Sequence, residues 1–238
     1  NTYYADKTLY IKELIDGRLS INHVICRPRH WGKSLNLSML KYFFHSPIDG
    51  DGNLITNNTK ALFTGEEFVE NHIKYKMKKT LIAEDVKWKD VYEHYQGRFP
   101  VIHFSLKVGV FNSYDSLKEK LTVKIKGVIK SFSYIRLNKN LFKDYDNLLE
   151  KEIKNGFEGE IIELVRLLYN YHHTKPILFI DDFDYGVNMM VLKDPEMKNE
   201  EEISNLCARR RAADPDLWIL ELNIADAAQF AVDLDGKR

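Results

Sequence analysis

Cysteine is scarce in this chain, with Cys26 and Cys207 the only two among 238 residues. They stand far apart and in no metal-ligand spacing, which excludes a zinc site built on paired cysteines. Two reduced thiols in a reducing compartment are expected. Excess charge is lacking as well, because 35 Lys and Arg balance 35 Asp and Glu. A neutral chain has no bulk field to draw it to nucleic acid, so a nucleic-acid partner gains no support from net charge. No apolar run approaches the roughly 18 residues of a membrane helix, and no secretory leader pattern stands at the N-terminus. The expected setting is cytoplasmic or nuclear, with no membrane partner. Internal repeats are absent too.

What is present is an ordinary folded composition: 44% hydrophobic, 29% charged and 12% aromatic residues. That supplies a core for one large domain, or for a domain with an appendage. The opening NTYYADKT starts on Asn rather than Met and reads as the interior of a longer protein. Residues 8–16 place Leu9, Ile11, Leu14 and Ile15 at helical spacing, with Gly17 as a stop. Residues 21–26, INHVIC, are β-branched and apolar and predict a buried strand. From Ser34 to Phe44, Leu35, Leu37, Met39, Leu40, Phe43 and Phe44 predict a helix with a broad buried face, ending near Ser46-Pro47.

Residues 47–65 are rich in turn formers and are expected to be exposed. Their DGDGN string opens like a calcium loop, but no glutamate stands at the closing offset, so calcium binding is not expected. A second strand is expected at 99–106, FPVIHFSL. A long basic amphipathic helix follows at 113–137, its lysines read as a solvated face. Helices are expected at 140–154 and 158–172, then an apolar strand, PILFIDD, ending in two acids. After about 191 the character changes to a charged connector, a helical and basic stretch at 202–213, and LWILEL at 217–222, which is open between strand and helix.

Chemistry concentrates in Arg27-Pro28-Arg29-His30-Trp31-Gly32-Lys33-Ser34, between the strand and the amphipathic helix. A loop in that setting, with Gly-Lys-Ser at the helix start, suits a phosphate. Backbone N–H groups and the positive helix end converge on it, and Gly32 lets the backbone approach. Lys33 would reach the terminal phosphates, and the Ser34 hydroxyl would enter a Mg2+ shell. The expected nucleotide-binding residues are Arg29, His30, Trp31, Gly32, Lys33, Ser34 and Leu35. The usual pattern opens with glycine, whereas Arg27 stands there in this chain. Asp181 closes the apolar strand ILFI where a Mg2+-side acid belongs, alongside Ser34. Asp182 follows where an acid could polarise the attacking water.

In order, YYADKTLYIKELI, RPRHWGKSLNLSML, FPVIHFSL and ILFIDDFDYGVN resemble the AAA-ATPase-like family, over roughly residues 3–190. Its members typically read DKT near the start, RPRRFGKS at the loop and LIDEYD at the acidic strand. Arg27 is thereby accounted for, since this family places Arg-Pro-Arg where other loops begin with glycine. The resemblance implies an α/β fold, the three-layer αβα sheet of P-loop NTPases, with ATP and Mg2+ as ligands. It carries Lys33 and Ser34 onto the phosphate and Mg2+ positions and Asp181 onto the Mg2+-side acid. Asp6-Lys7-Thr8 matches a signature to which no role attaches.

His30-Trp31 replaces Arg-Phe, and Asp182 stands where the family has glutamate, a carboxylate longer by one methylene. A base must reach its water, so the shorter acid would slow hydrolysis while leaving binding intact. Residues 1–190 are thus expected to form the ATPase-like domain, and 191–238 an atypical tail. In such a sheet a further strand inserts between the loop strand and the acidic strand. Without one the sheet is incomplete, with unpaired backbone in its core, unless 217–222 fills the gap. Three functions stay open: an ATPase working slowly or with help from a partner protein or oligomer, a degenerate or truncated nucleotide-binding module without turnover, and a nucleic-acid-associated ATPase of mobile-element or defence type.

Overall fold

The computed structural model describes residues 5–16, 22–25, 30–55, 59–153, 157–183, 185 and 218–222. The chain order is α1 (Leu9–Ile15), β1 (Asn22–Val24), α2 (Lys33–Phe44), α3 (Thr59–Thr64), β2 (Glu67–Glu70), β3 (Ile73–Lys76), α4 (Leu81–Glu84) and α5 (Trp88–Tyr95). Then come β4 (Val101–Ser105), α6 (Tyr114–Lys130), a 3-10 helix at Ser133–Leu137, α7 (Phe142–Glu150), α8 (Glu158–His172), β5 (Ile177–Asp181) and β6 (Trp218–Leu222). Among the described residues no helix is long and apolar enough to cross a membrane.

Four strands form one parallel sheet in the order β1-β6-β5-β4. WILEL at 218–222 is therefore strand, and β6 lies between β1 and β5, paired to both. The gap expected after the acidic strand is closed by a segment far along the chain. All five residues of β5 are buried, as a strand covered on both faces requires, which is why it reads as an unbroken apolar run.

Side chains leave β4 and β5 alternately for two separate cores. Val101, Ile177 and Phe179 join Ile11, Leu37, Leu40, Phe43, Phe63 and Ile82 on the face of α1 to α5. Ile102, Phe104, Leu178 and Ile180 join Ile125, Ile129, Tyr145, Leu164 and Leu168 on the face of α6 to α8. Phe43 and Phe63 meet edge-on at 5.4 Å between centroids, with Trp88 tilted against both. The Tyr145 hydroxyl is buried but donates to the Ile129 carbonyl at 2.8 Å, so its polarity is satisfied.

Local signals explain the ends of the longer helices. Ser113 caps α6 by accepting from the Ser116 N–H, and Asp115 and Lys130 sit at the ends that suit their charge. At the end of α8, His173 turns left-handed at φ 54° and donates its N–H to the Tyr169 carbonyl.

Several expectations need correction. Residues 47–65 are not all exposed turn, because α3 forms at Thr59–Thr64 and buries Ala61 and Phe63. DGDGN is a local turn in which an Asp49 carboxylate oxygen accepts from the N–H groups of Asp51 and Asn53. The helix expected over 113–137 breaks at Ser131 and continues as the 3-10 turn. Leu35 is exposed rather than buried. Leu35 lies in the first turn of α2, where side chains lean back toward the helix start and past the core.

Candidate functional site

A parallel sheet delivers the ends of its strands to one edge. Val24 is level with Glu221, and Glu221 with Ile180, so β1 and β5 stop side by side with β6 between them. Two strand spacings amount to about 10 Å. The end of β1 and the acids that end β5 thus share that edge.

Arg29, with Cys26 to Pro28, lies outside the described residues. His30, Trp31 and Gly32 complete the approach to α2. His30 and Gly32 both have positive φ, 66° and 76°. Only glycine adopts that conformation at little cost, and a Cβ at Gly32 would meet nothing within 4 Å. Conformation, not space, therefore explains the glycine.

α2 begins at Lys33, and the Gly32 carbonyl accepts from the Asn36 N–H at 2.9 Å, its first helical bond. The opening N–H groups of any helix have no acceptor within it, and they lie at the positive end of the helix dipole. Trp31, Ser34 and Leu35 are exposed here. α2 packs against β4, β5 and β6.

Asp181 continues the face of Ile177 and Phe179, the one that carries α2, and is buried. One of its carboxylate oxygens accepts from the Asp182 N–H at 2.9 Å, and its carbonyl accepts from the Leu106 N–H at 2.8 Å. Asp182 is left-handed at φ 51°, a strained value for a residue other than glycine. That turn lets its carboxylate accept the Ser105 hydroxyl at 2.7 Å, while Ser105 Oγ accepts from the Lys107 N–H.

Lys124 of α6 donates to the Lys107 carbonyl at 2.6 Å. Burial lowers its pKa, and the negative charges of Asp182 and Asp181 partly offset this, which marks it as a neighbour of the pair. His103 on β4 is also held below its ordinary pKa, first by burial and then by Lys41, with Asp181 pulling the other way.

Ser105, Lys124 and His103 were not expected at the site. Ser105 had a signal, a polar residue closing the buried strand FPVIHFSL. Lys124 had none, since it is one of many lysines on a solvated helix. A cleft of about 270 Å3 between α7 and α8, lined by Asp144, Asn147, Lys151 and Glu163, contains none of these residues.

The segment before α1 also reaches the loop. Asp6 Oδ1 accepts from the Thr8 N–H and hydroxyl, and Asp6 Oδ2 accepts from the Leu81 N–H. The Thr8 hydroxyl accepts from the Ile82 N–H, and the Lys7 ammonium donates to the Trp31 carbonyl at 3.3 Å.

No curated protein and no solved structure matches this chain. The family model described as Predicted AAA-ATPase matches residues 1–208, through the loop and the acids but short of β6. The loop before α2, the acids closing β5 and the extent of that match carry one conclusion: the chain belongs to the AAA-ATPase-like family.

Proposed function

We propose that this chain binds ATP with Mg2+ through residues 29–35 and 181–182, where β1 and β5 end side by side, as a P-loop NTPase with the three-layer αβα arrangement. The observation that carries the reading is the parallel order β1-β6-β5, which brings the end of β1 and the acids to one edge. Two cores on opposite sheet faces support the three layers. In this reading the N–H groups from His30 to Leu35 and the Lys33 ammonium hold the phosphates; Arg29, the other expected binding residue, lies outside the described residues. The exposed Trp31 is available to flank the nucleotide.

The donors suit Mg2+, a hard cation that takes oxygen and keeps several waters. Ser34 offers a hydroxyl and Asp181 a carboxylate at the strand end. When bound, Mg2+ would neutralise phosphate charge.

In this reading Asp182 would orient the water, yet its carboxylate is turned to Ser105 and is one methylene shorter than glutamate. That observation favours a second reading, nucleotide binding with little or no turnover. Calorimetry of ATP with Mg2+ against wild type and Lys33→Ala tests the binding. Removal of a charged phosphate partner should weaken it by about 10- to 100-fold. Equal binding by both proteins, or none by either, would refute the assignment. Phosphate release at background beside intact binding selects the second reading.

A further inference from the structure

The geometry points to Lys7 as a positioning residue that sets the Gly32 amide for a phosphate by holding the Trp31 carbonyl, an inference that rests on the nucleotide reading above. The Asp6-Lys7-Thr8 signature has no part in that reading as it stands, although its bonds are numerous. Thr8 is 1% exposed and Asp6 half-buried. Together they close two bonds between themselves and two more to the first amides of α4, some 74 residues along the chain. α4 is in turn packed against α1, α3 and α5.

The backbone on either side of Lys7 is thus fixed to a packed unit. An exposed lysine bonded to a carbonyl contributes little when it must first be ordered. Here only the side chain remains to be ordered, and it ends at the Trp31 carbonyl, 24 residues along the chain.

The Trp31–Gly32 peptide needs such a hold. Glycine accepts φ of either sign, so this peptide plane is among the easiest in the chain to turn over. A trans peptide is planar, and its carbonyl and the following N–H point in opposite directions. No cis bond occurs among the described residues. With the carbonyl held toward Lys7, the Gly32 N–H faces the other way, and φ 76° at Gly32 leads directly into the first turn of α2. One orientation of that amide is selected before any ligand arrives, which lowers the cost of binding an anion.

Two measurements on the full chain test this, for wild type, Lys7→Met, Lys7→Arg and Lys33→Ala. Hydrogen exchange of the ligand-free protein reads the hold itself on a peptide spanning 30–36. Calorimetry with ADP and Mg2+ reads its consequence. Lys7→Met should speed exchange in that peptide about threefold or more and leave β5 unchanged. It should weaken ADP about fivefold, and Lys7→Arg should restore both to within about twofold of wild type.

Unchanged exchange and affinity in Lys7→Met, beside lost binding in Lys33→Ala, overturn the inference and leave the nucleotide reading standing. Faster exchange with unchanged affinity also overturns it, because the bond would then be structural only. So does equal damage by Met and Arg. Absence of ADP and ATP binding by wild type removes the nucleotide reading, and this inference with it.

Discussion

Asp182 shows how one dihedral and one methylene decide what a carboxylate is able to do. At φ 51° its side chain turns to β4, where Ser105 donates to it, and it reaches less far than glutamate would. Lengthening the acid restores reach without altering charge. Asp182→Glu should therefore raise phosphate release several-fold while nucleotide affinity stays within about twofold. A malachite-green assay beside calorimetry reads both. Release that falls in this variant would show that Asp182 does not orient the water. Ser105 is the residue to watch in the same experiment, since a longer carboxylate need not keep its bond. Asp6 is a second instance of a single carboxylate with several tasks. Burial raises its pKa, but the bonds from Thr8 and Leu81 and the charge of Lys78 outweigh that and hold it below its ordinary value.

Among the elements, β6 bears the most on the site because it separates β1 from β5. A central parallel strand uses its N–H groups in ladders on both sides, so proline cannot be accommodated there. Ile219→Pro, level with Asn22 on one side and Leu178 on the other, should cost about 3 kcal/mol or more. Urea denaturation measures the loss, and nucleotide binding should fall with it because the loop and the acids would lose their spacing. A variant as stable as wild type would remove β6 from the sheet. The elements also differ in how plainly their residues announce them. α2 is legible because its apolar residues recur on the helical period, and β5 because it is an unbroken apolar run. The β2–β3 hairpin was not expected. Its turn is Asn71-His72, both at positive φ, in place of the Asn-Gly that signals such a turn, and β3 is exposed along its whole length. α4 has four residues, too few for any period to show, and exists because Asp6 and Thr8 supply acceptors for its first amides.

For the whole molecule, several half-buried histidines beside the two cores set the acid side of stability. His172 accepts or shares a proton with the Tyr134 hydroxyl at 2.8 Å. Burial first, then His45 and His173, push its pKa down to about 4. His45 and His103 are lowered as well, chiefly by burial. The fold thus favours neutral imidazoles, whereas the unfolded chain titrates near about 6.5. Stability from these groups is fully present above that value and is lost as pH falls toward 4, because the unfolded state then binds more protons. Thermal unfolding should shift to lower temperature between about pH 6.5 and 4.5, and His172→Gln should flatten that limb. A midpoint that stays constant down to pH 4.5 would count against neutral buried histidines. Asp6 acts in a separate window, since a lowered carboxylate loses its contribution only on protonation, below about pH 4.

By itself the sequence determined the parts with short-range causes: α2, β5, the helices after β4, and Gly-Lys-Ser at a helix start where glycine's freedom is needed. Family membership was legible too, because its motifs are strings of adjacent residues. Only the tertiary structure decided that 218–222 is a strand and that it lies between β1 and β5, since a short apolar run acquires its state from the edges it pairs with. It alone assigned bonds to Asp6, Lys7 and Thr8 and set Ser105 against Asp182. Apart from the bonds between Asp6 and Thr8 themselves, those contacts join residues 24 to 77 positions apart, and no periodicity records a distance that only the folded chain creates.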